Sequence, residues 1–151
     1  MANDGDDNKV VLLDKDVSMF AMRPKMALAL KGIHYESKIF ECLKAWMFKT
    51  KDAKGIKEEL VENLKVLEGE LGEEAYYGGE RIRFLDLALL SYYNWLLTFE
   101  KDTEFSVEAE IPKLSEWAKR CLQNESVSTS LADPLKIYEF TLQMRERIGV
   151  A

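Results

Sequence analysis

Histidine is almost absent: His34 is the only one in 151 residues. Cysteine is scarce, and Cys42 and Cys121 lie far apart in no paired motif. A chain with so few imidazole and thiolate ligands is not expected to hold zinc or to work as a dithiol redox protein, and no metal is assigned. His34 follows Gly32 without an acidic or cysteine pattern around it, and no catalytic triad, phosphate loop or metal cluster is visible. Long apolar runs are missing too. The greasiest stretch, residues 84–99, is interrupted by Asp86, Ser91, Asn94 and Thr98. It falls short of the roughly 18 apolar residues that a membrane span requires. Residues 1–9 are acidic where a secretory leader carries basic residues and an apolar core. Positive charge is in deficit, with 21 Lys and Arg against 27 Asp and Glu, a net charge of −6. Such a surface repels phosphate backbones and anionic lipid, so neither nucleic acid nor a membrane is expected as a partner. A cytosolic protein is the expectation.

What is present is apolar content, 47% of the residues, enough for a packed core. Residues 9–13, Lys-Val-Val-Leu-Leu, read as a short buried strand. After a charged turn, Ser18 suits a helix N-cap, and Met22, Met26, Ala29 and Leu30 share one helical face. Lys31-Gly32 stops that helix, and residues 33–36 begin a second strand.

From residue 37 onward the pattern is helical. Ile39, Phe40, Leu43 and Met47 suit one helix. Ile56, Leu60, Leu64, Leu67 and Leu71 recur at steps of three and four, with Gly72 as the stop. Tyr76-Tyr77-Gly78-Gly79 reads as a loop. Residues 84–99 are apolar nearly all round, which predicts the buried centre of a bundle. Arg83 stands at the N-cap of that helix and Asp86 at N3. The carboxylate can accept the Arg83 backbone N–H, half of a capping box, and Ile82 with Leu87 could form its hydrophobic staple. Ile111-Pro112 opens a helix carrying Leu114, Trp117, Ala118 and Cys121. Asp133-Pro134 opens the last one, with Ile137, Phe140, Met144 and Ile148 on a shared face. A sheet of one or two strands cannot close a core by itself. Either the helical block covers it or further strands are absent.

The segments Lys9-Val-Val-Leu-Leu-Asp14, Ser18-Met-Phe-Ala-Met-Arg23 and Lys25-Met-Ala-Leu-Ala-Leu-Lys-Gly32 resemble the opening of plant tau-class glutathione transferases. Leu64-Lys-Val-Leu-Glu-Gly-Glu-Leu-Gly72, Tyr76-Tyr-Gly-Gly-Glu80, Phe84-Leu-Asp-Leu-Ala-Leu89 and Pro112-Lys-Leu-Ser-Glu-Trp117 resemble that family's helical domain. The resemblance runs in order over nearly the whole chain. It implies a mainly α protein: an incomplete thioredoxin-like βαβ fragment in residues 8–37, then an all-helical glutathione-transferase C-terminal domain in residues 38–151. The family's chain is longer. At the junction near residues 35–38 it carries a second helix, a cis-proline turn, two more strands and a Glu-Ser motif, none of which stands here.

The family's reaction is attack of the glutathione thiolate on a hydrophobic electrophile, with glutathione as co-substrate and no further cofactor. By resemblance Ser18 is the catalytic serine, donating its hydroxyl to the sulfur, and Met19 lies beside the tripeptide. The reading from residues alone is plain helix capping by Ser18. The resemblance also points to Phe20, Phe40, Trp46, Trp95, Phe140 and Met144 as the electrophile pocket, with Arg147 at its rim. Ordinary core or surface aromatics are the alternative for each. Arg23 reads as a structural ion-pair residue. Lys15, Asp16 and Val17 replace the aromatic, tryptophan and proline that the family places before the serine, and Asp16 opposes a nearby thiolate. Without the cis-proline and Glu-Ser contacts, weak glutathione affinity and impaired activity are expected, because positioning carries much of such a reaction. A non-catalytic helical ligand-binding or dimer-partner protein is the alternative function. A homodimer, or a heterodimer with intact family members, is the expected assembly. Apolar helix faces left bare by the missing sheet also favour association.

Overall fold

The computed structural model describes residues 38–150, and these form a helical bundle. The helices are α1 (Lys38–Met47), α2 (Ala53–Leu71), α3 (Phe84–Asp102), α4 (Val107–Glu110), α5 (Pro112–Leu122), α6 (Glu125–Ser128) and α7 (Pro134–Ile148). Among the described residues the only β pairing is an isolated bridge between Tyr76 and Gly79. The mainly α expectation holds. The strand–helix–strand reading of residues 8–37, and with it Ser18, Met19, Phe20 and Arg23, lies outside the described residues.

Local chemistry accounts for most helix ends. Asp52 caps α2, its Oδ1 accepting from Gly55 N at 2.8 Å. Ile56, Leu60, Leu64, Leu67 and Leu71 are all buried along one side of it. Gly72 ends it at φ 58°, where a residue without Cβ avoids strain. The first helix ends differently. Thr50 N donates to Ala45 O and Lys49 N to Trp46 O, which closes a Schellman turn. Its left-handed residue is Lys49, at φ 51°. For α7, Asp133 Oδ1 accepts from Leu135 N and Pro134 sits in the first turn, as the sequence predicts.

The N-terminus of α5 is capped in trans. Ile111 has no side chain to offer, and Pro112 has no N–H. Glu68 of α2 reaches across, its Oε2 accepting from Lys113 N at 2.9 Å and Leu114 N at 3.2 Å. A carboxylate there satisfies orphan donors and complements the helix dipole. The short helices α4 and α6 escaped the sequence reading, although Ser106 and Asn124 cap them.

The core forms around α3, which touches α1, α4, α5 and α7. Phe99 stacks edge-on to Trp46 at 5.5 Å, and Tyr77 edge-on to Trp117 at 5.4 Å. The structure decides which side of α1 and of α7 is buried. In α1 the buried side is Ile39, Cys42, Leu43, Ala45 and Trp46, whereas Phe40 and Met47 are half-buried. In α7 the buried side is Ile137, Thr141 and Arg145, while Phe140 is 49% and Ile148 47% exposed. The packing stripe of α7 includes two polar residues: Arg145 finds partners on α1 and α3, and the Thr141 hydroxyl bonds Ile137 O within α7.

Candidate functional site

Three helix ends converge at one corner of the bundle. The last turn of α1, the last residue of α3 and the C-terminal half of α7 meet around Arg145, which is 4% exposed. Its guanidinium uses all three nitrogens. Nε donates to Met47 O at 3.1 Å, Nη2 to Trp46 O at 3.0 Å and Nη1 to Asp102 Oδ2 at 3.0 Å. The same Asp102 oxygen accepts from Trp46 Nε1 at 2.8 Å, and the Arg145 guanidinium carbon lies 5.2 Å from the centre of the Trp46 ring. Helix C-termini carry partial negative charge and unpaired carbonyls, so a cation with a planar fork suits this corner. Breaking a buried pair of this kind by removing one partner typically costs about 3–5 kcal/mol.

The pocket residues named by resemblance flank this corner in different ways. Trp46 is 3% exposed, and its ring is enclosed by Phe99 and Arg145, which makes it a packing residue here. Phe40, Trp95 and Met144 are half-buried, and Phe140 and Arg147 are exposed. Phe140, Met144 and Arg147 follow one another along a single side of α7. Phe40 lies on α1, Trp95 on α3 and Phe140 on α7, and among the described residues no ring–ring contact joins them. Sequence reasoning passed over Arg145 and Asp102. The available signal was Thr141 and Arg145 continuing the line of Ile137 at steps of four.

Asp86 belongs to a second polar centre, fully buried. Its Oδ2 accepts from Arg83 N at 2.9 Å, the half capping box read from the sequence. Its Oδ1 accepts from Tyr77 N at 2.8 Å and Trp117 Nε1 at 2.9 Å. One carboxylate thus joins the Tyr76–Gly79 turn, the start of α3 and the middle of α5. With three N–H donors directed at its two oxygens, Asp86 is a structural hub rather than a catalytic acid. Leu87 is 46% exposed, so the expected staple with Ile82 makes no buried contact.

The remaining chemistry is quiet. Burial, with Glu59 adding to it, pushes the Cys42 thiol up to about 11. Burial and the Asp86 charge push Cys121 up to about 12. Neither is a nucleophile near neutral pH. A void of about 20 Å³ lined by Ile39, Leu64, Leu89, Tyr92, Leu96 and Trp117 is apolar and far below ligand size. Among the described residues no group of His, Cys, Asp and Glu could hold a metal ion, and no helix is long and apolar enough to cross a membrane.

This bundle has counterparts among known proteins. The family described as glutathione S-transferase, C-terminal domain, matches residues 17–125. A probable glutathione S-transferase of Nicotiana tabacum, parA, is 33% identical over 217 aligned positions, covering 95% of this chain and 99% of the relative. That alignment is longer than the 151-residue chain, so it opens gaps within it. Another probable glutathione S-transferase of tobacco is 46% identical over 107 residues, 71% of this chain and 48% of the relative. The crystal structure of rice glutathione S-transferase OsGSTU1 in complex with glutathione aligns with a TM-score of 0.63 at 32% identity. It covers 71% of this chain and 50% of the rice chain, so the matched bundle spans about half the length of such relatives. The family match over most of the chain and the agreement in fold lead to one conclusion: this chain belongs to the glutathione S-transferase family.

Proposed function

We propose that the chain is a tau-class glutathione transferase that conjugates reduced glutathione to hydrophobic electrophiles, a detoxifying reaction carried out in the cytosol. The reading rests on one combination: the chain matches this family's helical domain, and residues 9–32 resemble the opening of the tau class, with Ser18 where that class keeps its catalytic serine. The proposed boundary between the partial N-terminal fragment and the helical domain is after residue 37.

The division of labour follows from chemistry. A thiol of ordinary pKa is only a few per cent ionised at neutral pH, and lowering that pKa by two units takes about 2.7 kcal/mol of preferential thiolate stabilisation. Ser18 supplies part of that through its hydroxyl, aided by a helix N-terminus, with Met19 beside the tripeptide. The electrophile lies against an apolar surface to which Phe20, Phe40, Trp95, Phe140 and Met144 contribute, with Trp46 supporting it from the core and Arg147 at its rim. Contacts that grip the rest of glutathione are few, so turnover is slow. A second copy, or an intact relative, is the natural partner subunit.

The test is conjugation of glutathione to an aromatic chloride by the purified chain and by Ser18→Ala. The expected result is a slow rate above the uncatalysed background that disappears in the variant. Background rates for both, with an apolar dye still bound, would refute the transferase reading and leave a ligand-binding protein.

A further inference from the structure

We propose that Arg145 is a latch that sets the orientation of α7, so that affinity for apolar ligands depends on a side chain buried away from them. The proposal rests on the reading of α7 as one wall of the ligand surface and adds to it the residue that positions the wall.

The last helix has little apolar anchorage. Its buried residues are Ile137, Thr141 and Arg145, and the Thr141 hydroxyl is spent on Ile137 O, within the same helix. Specific polar bonds hold it at both ends. At the N-terminal end, Asn94 Nδ2 donates to Ala132 O at 2.6 Å, and the Thr98 hydroxyl, whose shorter bond is to Asn94 O at 2.8 Å, lies 3.2 Å from Pro134 O. At the C-terminal end, Arg145 makes the three bonds to Trp46, Met47 and Asp102. Phe140 and Met144 lie between those two fastenings.

The Arg145 bonds constrain more than distance. A planar guanidinium bonded through Nε, Nη1 and Nη2 to two backbone carbonyls and a carboxylate has its plane fixed, and with it the rotation of α7 about its own axis. At about 100° per residue, Met144 sits roughly 100° round the helix from Arg145 and Phe140 roughly 140°. Any rotation released at Arg145 therefore swings both apolar side chains. The acceptors are themselves rigid, because Trp46 O also closes the Schellman turn of α1 and Asp102 is held by the Trp46 indole. Lysine at this position keeps the charge but offers a single nitrogen, which cannot reproduce the fork.

The experiment measures the dissociation constant of a fluorescent naphthalenesulfonate dye for the full chain and for Arg145→Lys, Asp102→Asn, Phe140→Ala and the double variant Arg145→Lys/Phe140→Ala. Each is read at a temperature well below its own melting point, with circular dichroism confirming the folded state, so that lost stability alone moves nothing. The proposal expects about tenfold weaker dye binding in Arg145→Lys, about 1.4 kcal/mol. It expects a smaller loss in Asp102→Asn, and a smaller loss from Arg145→Lys in the Phe140→Ala background than in the native one, because only Met144 is left to be displaced. Unchanged or tighter binding in a folded Arg145→Lys overturns it. If that variant does not fold, unchanged or tighter binding in Asp102→Asn overturns it instead, and weaker binding supports it. Full affinity in Phe140→Ala overturns the ligand surface itself, and the latch with it. A loss in Phe140→Ala without one in Arg145→Lys overturns the latch alone.

Discussion

Replacing Asp86 by alanine should destabilise this bundle strongly. The carboxylate is fully buried and accepts three N–H groups, from Tyr77, Arg83 and Trp117. Alanine leaves all three donors without an acceptor. A buried donor left unpaired costs about 1–3 kcal/mol, and partial relaxation keeps the total below the simple sum. We expect a loss of about 4 kcal/mol, a large share of the roughly 5–15 kcal/mol that holds a domain together. For a chain of this size that is a fall in melting temperature of about 12–16 °C. Asp86→Asn keeps one oxygen and should cost about half as much, because its amide group presents hydrogens to a donor. The assay is urea denaturation followed by circular dichroism at the helix band, repeated for Trp117→Phe alone and combined with Asp86→Ala. If Asp86 is the acceptor for the indole, Trp117→Phe costs less in the alanine background than in the native one. An Asp86→Ala midpoint within about 1 kcal/mol of the parent would falsify the hub assignment.

Further outcomes follow from other sites. Lys49→Gly should raise stability by about 0.5–1 kcal/mol in thermal melts, because Lys49 holds a left-handed backbone at φ 51°; a lower melting point means that its side chain anchors the turn. Glu68→Ala should lower the urea midpoint by about 1–2 kcal/mol through loss of the α5 cap, and Glu68→Gln by much less; equal losses in both refute capping through the retained oxygen. Among the described residues Ser115 Oγ is buried without a hydrogen-bond partner, so Ser115→Ala should be neutral or stabilising by about 1 kcal/mol; a clear loss shows a hidden acceptor or donor. Cys42 and Cys121, raised from 9.0 to about 11 and about 12, should resist a thiol reagent at pH 8 in the native state and react fully in urea. With folded values above unfolded ones, the stability they contribute is complete below pH 9.0 and lost as pH climbs through about 11 and about 12, so a urea midpoint that is flat across this range contradicts their burial.

The placement of the apolar wall on α7 shows where sequence reasoning runs short. Periodicity put Phe140 and Ile148 on one face with Ile137 and Met144. The structure turns the helix so that Thr141 and Arg145 face inward instead. A count of apolar residues treats arginine as outward-facing. It has no means of knowing that two carbonyls and a carboxylate wait at separations of 98, 99 and 43 residues. The same blindness hid the role of Glu68, whose targets lie 45 and 46 residues away.

Where the relevant forces act within a few residues, the sequence alone determined the outcome. The leucine stripe of α2, the Gly72 stop, the Asp133-Pro134 start and the Asp86 bond to Arg83 N all come from contacts spanning a turn or two, so spacing and side-chain type suffice. The family resemblance was legible for a related reason: it is carried by short runs of residues read in order. Only the tertiary structure decided which way α7 turns, which residues enclose the Trp46 ring and which carboxylate caps α5. Those depend on polar groups that reach full hydrogen bonding only when helices remote in the chain are brought end to end, because burial without a partner costs more than any local preference returns.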